Sequence, residues 1–271
     1  MTLTIAVLGV GEAGSEIVDD LLAAGARVRV HDPAVKAPEG TTPCADEAEA
    51  ARGAEVVLSV NSAEAARDAV RRGLDGCGPD TVWADLNTAP PSLEVELAEL
   101  AEKAGVSFAD VSLMAPVPGK GLRTPMLVSG PAAERYREVL APLGAEVEVV
   151  DGPAGEASRR KLLRSVFFKG MAAAVVEALV AADELGLVDW MRELVADELD
   201  GADRDFASRL ETGSLRHAVR RTAEMSAAAE MLTELGVPAR IAGASRDWLE
   251  ELQTYDVARL GPPAADTGGG P

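Results

Sequence analysis

The chain has 271 residues, a formal net charge of −19, 47% hydrophobic and 26% charged residues. That length suits two domains with ample apolar content for a core, and the negative charge argues against a nucleic-acid partner, whose phosphates would be repelled. Two cysteines, Cys44 and Cys77, are too few for a disulfide framework, and His31 and His217 match no zinc spacing, so no metal site is expected.

The first predicted element is an apolar strand at residues 3–8, followed by Gly9-Val10-Gly11-Glu12-Ala13-Gly14 and a helix opening at Ser15. Each glycine in a Gly-x-Gly-x-x-Gly turn has its own task. Gly9 permits the tight turn, Gly11 admits a pyrophosphate to the backbone, and Gly14 lets the helix pack on the strand. Amides at the helix start then face the phosphates. Ile17 with Leu21 and Val18 with Leu22 give this helix an apolar face, which Gly25 ends. A second strand at 27–31 leads to Asp32, where a carboxylate accepts hydrogen bonds from the ribose hydroxyls of a dinucleotide and repels a 2′-phosphate. The nearest following cation is Lys36, so NAD is favoured over NADP.

Further strands are predicted at 54–60, 81–86, 106–113, 125–129 and 145–150, most of them separated by alanine-rich helical stretches. The alternation predicts an α/β fold with a doubly wound, mostly parallel sheet over residues 1–151. Ligands of such sheets lie beyond the carboxyl ends of the strands. Val60, Asn61 and Ser62 end one strand there, and Asn87 and Thr88 follow another, with Pro90 or Pro91 opening the next helix. These small polar residues suit a cofactor; they suit equally a plain helix cap.

The loop at 114–124 is stiffened by prolines and carries Lys120 and Arg123. It is either a substrate loop, with Arg123 as a planar two-pronged anion donor, or an ordinary crossover. Residues 152–260 read as all-helical, a substrate and dimerisation domain, and 261–271 as a Gly/Pro-rich disordered tail. The stretch 158–169 packs five cations into an acidic chain. Lys161, Arg164, Ser165 and Phe168 share one helical face, and neighbouring positive charge with partial desolvation would bring Lys161 from about 10.4 toward working pH. A solvated basic face is the alternative. The helix from 156 to 185 carries more apolar bulk, Val166, Phe167, Met171, Val175, Val176 and Leu179, than one face needs, which calls for a partner.

Together these motifs resemble the β-hydroxyacid dehydrogenase family, the group of 3-hydroxyisobutyrate and 6-phosphogluconate dehydrogenases, over nearly the whole chain. Gly9 to Gly14 is similar to the family's cofactor signature, and Asp85-Leu86-Asn87-Thr88-Ala89-Pro90 to its Asp-x-Ser-Thr-x-x-Pro segment. Gly152-Pro153-Ala154-Gly155 followed by Lys161 is similar to its lead into the interdomain helix, whose lysine is the catalytic acid/base. The resemblance implies an NAD(P)-dependent oxidoreductase acting on a small anionic hydroxy acid, a homodimer, and Lys161 in catalysis. Arg164 and Ser165 stand where the family has asparagines, and the resemblance puts either Met114-Ala115-Pro116 or Pro118-Gly119-Lys120 in place of its Ser-Gly-Gly substrate loop, so a more anionic substrate is expected, held by Arg164, Ser165 and Arg123. Two other readings remain: an imine reductase on the same fold, and a non-catalytic dinucleotide-sensing module. No apolar run reaches the ~18 residues of a membrane span and no signal peptide opens the chain, so a cytoplasmic protein without a membrane partner is expected.

Overall fold

A computed structural model describes residues 3–261, apart from the side chain of Val257; the expected disordered tail falls, but for Gly261, outside the described residues. The chain divides into two compact units, Met1–Ser165 and Val166–Pro271.

The first unit holds one eight-stranded sheet in the order β3-β2-β1-β4-β5-β6-β7-β8. The strands are β1 (Thr4–Leu8), β2 (Arg27–His31), β3 (Thr42–Pro43), β4 (Val56–Ser59), β5 (Val82–Asp85), β6 (Ser107–Leu113), β7 (Met126–Ser129) and β8 (Val147–Val149). Every pairing is parallel except β6 with β7. The fold class is therefore the doubly wound one expected. The two-residue β3 went unpredicted, since Thr42-Pro43 has no apolar alternation to signal it.

Side chains alternate along β1, and each face gathers its own core. Ile5 and Val7 pack with Ile17, Val18 and Leu21 of α1 (Glu12–Ala23) and with Tyr136 and Leu140 of α5 (Ala133–Leu140). Ala6 and Leu8 pack on the other side with α2 (Glu47–Ala51), α3 (Ala63–Gly73) and α4 (Pro91–Lys103). Helix α1 begins at Glu12, earlier than the Ser15 expected, because Gly11 is already its N-cap.

Helix α6 (Glu156–Glu184) opens in the first unit and runs into the second. The second unit continues with α7 (Val188–Asp200), α8 (Arg204–Arg216), α9 (Ala218–Glu234) and α10 (Arg240–Leu252), so it is helical throughout its described residues. Its small core is Ala181, Ala229, Leu232, Val237 and Ala242. Glu177 joins α6 to α10 by accepting hydrogen bonds of 2.7 Å from the amides of Ile241 and Ala242, at a helix start where a carboxylate is favoured.

One expectation needs correction. Helix α6 is long and apolar enough, by length and composition, to cross a membrane. Reading for unbroken apolar runs missed it, because Lys169 and Glu177 interrupt a stretch that otherwise carries no charged residue from Val166 to Ala182. Its apolar side chains are largely exposed, Val166 at 75% and Phe167 at 64%.

Candidate cofactor and catalytic site

The sheet changes winding direction between β1 and β4, and a crevice beyond their carboxyl ends is where such sheets bind ligands. Gly9 sits there with φ +94°, and a Cβ on it would lie 2.5 Å from the Val60 carbonyl oxygen. A Cβ on Gly14 would lie 2.1 Å from the Gly9 carbonyl oxygen. Neither position admits a side chain. Gly11 differs: a Cβ there meets nothing within 4 Å, and as N-cap it supplies no side-chain acceptor to the first turn of α1. Open space against uncapped amides is the cradle a pyrophosphate fills, so the residues fit a dinucleotide.

Asp32 follows β2 directly and is tied to the glycine turn. Its Oδ2 accepts from the Val10 amide at 2.8 Å, and its Oδ1 from the amides of Ala34 and Val35 at 2.8 and 2.9 Å. Burial alone would raise its pKa, but these three amides, with His31, hold it below the ordinary carboxylate value. The group is thus an anion at neutral pH, tied to the glycine turn and still offering lone pairs.

Among the small polar residues, the structure separates two kinds. Ser62 caps α3, its Oγ accepting from the Ala65 amide. Asn61 and Asn87 instead knit strand ends together: Asn87 Nδ2 donates to Asn61 Oδ1 at 3.0 Å, to Ser59 Oγ and to Asp85 Oδ2. Thr88 is exposed beside them, and Pro91 opens α4.

Lys161 is partly exposed on the first part of α6, with Arg164 exposed and Ser165 partly exposed one turn on. The start of that helix is pinned by Asp110 of β6. Its Oδ2 accepts from the amides of Gly155 (2.8 Å) and Ser158 (3.1 Å) and from Ser129 Oγ (2.9 Å), and its Oδ1 from Ser158 Oγ (2.7 Å). Asp110 is the register partner of Asp85, the last residue of β5. Lys161 therefore lies three residues, about 4.5 Å of helical rise, beyond Ser158 and its anchor on the strand next to β5.

Sequence reasoning missed this anchor, and with it a cluster of carboxyls. Asp85, Asp110 and Glu94 of α4 are all buried. Asp85 is pushed up to about 6, by burial and by Asp110 against hydrogen bonds from Asn87 and Ser59. Glu94 is pushed up to about 10, chiefly by burial and then by Asp85 and Asp110, with Lys161 opposing. One signal existed: Glu94 occupies the same helical stripe as the buried Leu97 and Ala101.

Of the expected substrate-loop residues, Met114 and Ala115 are partly buried and Pro116 exposed. Arg123 has a carboxylate neighbour on α1. Its guanidinium lies 3.9 Å from Asp20 of α1, and the loop around it is strapped to the same helix, Gly119 amide to Glu16 and Leu122 amide to Asp20. Asp20 stands eight residues, about 12 Å, along α1 from its phosphate-facing end.

Comparison with known proteins gives this geometry a setting. Residues 4–152 match the family described as the NAD binding domain of 6-phosphogluconate dehydrogenase, and 182–252 match a domain family of unknown function. The chain belongs to the β-hydroxyacid dehydrogenase family. A probable 3-hydroxyisobutyrate dehydrogenase of Mycobacterium tuberculosis is 30% identical over 193 residues, 68% of this chain and 65% of that protein. The 3-sulfolactaldehyde reductase of Escherichia coli is 28% identical over 195 residues, with the same coverage. The matches thus span less than two thirds of those relatives' length. A variant of an imine reductase from Myxococcus stipitatus, solved with NAD+, shares the fold with a TM-score of 0.77 at 20% identity, covering 97% of this chain and 96% of that one. The cofactor of this family member is a nicotinamide dinucleotide.

Proposed function

We propose that the protein is an NAD(P)-dependent oxidoreductase that interconverts a hydroxyl and a carbonyl on a small anionic acid, with Lys161 as acid/base. The observation that carries this reading is the Asp110 anchor, which fixes the helix bearing Lys161 to the strand edge where the family binds its cofactor. When bound, the nicotinamide accepts or supplies the hydride. In oxidation Lys161 Nζ, as the neutral amine, takes the hydroxyl proton; in reduction its ammonium returns one to the carbonyl oxygen. Arg164 and Ser165, at i+3 and i+4 from Lys161, are placed for the substrate's anionic group. Arg123, occupied by Asp20, is left out of that role. The ionised Asp32 favours NAD, because a 2′-phosphate would meet its charge.

The likeness to imine reductases carries the fold alone, whereas a lysine at position 161 suits hydroxyl chemistry. One experiment tests the assignment. Lys161→Met is expected to lower kcat for hydroxy acids by roughly 10²–10⁴-fold, while NADH binding, followed by nicotinamide fluorescence, stays within about twofold and remains tighter than that of NADPH. Near-normal turnover by the variant would falsify the assignment.

The exposed apolar residues of α6 and α7, Val166, Phe167, Val176, Val180 and Trp190, support a homodimer as the working form, since a patch of this kind wants covering. Sedimentation at micromolar concentration is expected to give the mass of two chains; a single-chain mass across that range would count against it.

A further inference from the structure

The second unit carries a cleft that the chemistry described so far leaves unused. It holds about 550 Å³ and is framed by α8, α9 and α10, inside the stretch 182–252 that matches a domain family of unknown function. Clefts in this size range take small molecules.

Arg221 of α9 forms its polar side. Nη1 donates to Ser214 Oγ at 2.6 Å, and that hydroxyl donates in turn to the Leu210 carbonyl oxygen at 2.6 Å. The guanidinium also rests against the bare backbone of Gly213, where a Cβ would stand 2.9 Å from Nη2. Helix α8 thus holds the fork in place. Among the described residues its partner is a hydroxyl and not a carboxylate, in a chain with 45 acidic residues against 26 basic ones. Arg220 is engaged differently, Nη1 donating to Glu224 Oε1 at 2.7 Å, so these two lining charges cancel. On α10 Arg246 pairs with Asp247. The lining is left with one positive charge in excess, carried by Arg221.

The rest of the lining has another character. It is made by Met225 of α9 with Ser245, Trp248 and Leu249 of α10. Trp248 is 57% exposed and takes no part in the small core of this unit. An indole face and a thioether side by side favour an aromatic ring. The Ser245 hydroxyl adds a hydrogen-bond donor. A planar fork fits a carboxylate with two parallel hydrogen bonds. One excess charge matches a monoanion, whereas the second charge of a phosphate would be left to meet Glu224.

We propose that this cleft binds an aromatic monocarboxylate, with its carboxylate on Arg221 and Ser245 and its ring against Trp248 and Met225. The proposal is independent of the acid/base assignment of Lys161, since every group it uses lies within residues 214–249.

The probe is 2-naphthoate, titrated against the full chain by ligand-observed NMR, with neutral 2-naphthamide as the control for the ring alone. The parent is expected to bind naphthoate with a Kd of about 1 mM or tighter, and the amide about tenfold more weakly. Arg221→Gln should weaken naphthoate about tenfold or more, and Trp248→Leu about threefold or more, with helical content by circular dichroism unchanged. Trp248 is exposed, so its variant keeps the test open should the arginine variant fail to fold. Absence of saturable binding up to about 10 mM overturns the proposal. Amide and acid binding alike would reduce the cleft to an apolar patch and overturn it too, as would parental affinity in either folded variant. A loss at Arg164→Gln with none at Arg221→Gln would place the anion on the cations of α6 and overturn it as well.

Discussion

The glycine turn and the carboxyl cluster both serve the carboxyl edge of one sheet, but they are built in opposite ways. The turn is made almost entirely by consecutive residues, Gly9 to Gly14, joined only by Asp32 and the backbone at Val60. Its function is a matter of space and of amides left uncapped. The cluster is assembled from β5, α4, β6 and α6, residues up to 76 positions apart between Asp85 and Lys161. Its function is a matter of charge taken out of water. Local geometry is rigid and intolerant of a single added carbon, whereas buried charge is adjustable and responds to pH.

Two outcomes would break or sharpen that contrast. The larger is expected at Gly14→Ala, where the new Cβ would meet the Gly9 carbonyl oxygen at 2.1 Å. Backbone cannot yield as a side-chain end can, so thermal or denaturant unfolding should show a loss of about 2–4 kcal/mol, with cofactor affinity falling as well. A variant as stable as the parent would mean that the turn is looser than its contacts imply.

The smaller effect has the opposite sign. Glu94 is raised from 4.5 to about 10, so between those values the folded protein holds a proton that the unfolded chain has released. Stability must then fall as pH rises through that window. Glu94→Gln removes the penalty, and its gain should be near zero at pH 5 and grow to at least about 1 kcal/mol at pH 8, read as a Tm difference between variant and parent that widens with pH. A constant difference across pH 5–9 would show that Glu94 is ionised in the folded state.

Much of the first unit was legible from sequence. Strand periodicity, the glycine spacing and the acid after β2 are local signals, and they gave the sheet, the crevice and the cofactor class. The lysine was legible as part of a cationic stretch, but its setting was not. Its neighbours in sequence, Arg160 and Arg164, suggested a surplus of positive charge, while the fold pins the start of its helix on the carboxylate of Asp110. Arg123 has a neighbour hidden for a similar reason: nothing near it in sequence announces Asp20, whose carboxylate lies 3.9 Å from its guanidinium. Ser62 and Asn61, adjacent and alike on paper, parted into a helix cap and a link between strands.

By itself the sequence determined what depends on consecutive residues: the turn that only glycine permits, the alternation that makes a parallel sheet, and the helices that follow. Tertiary structure alone decided which charges face one another. Electrostatic partners are chosen by distance through space and by exclusion of water, and neither quantity is written in the spacing of residues along the chain.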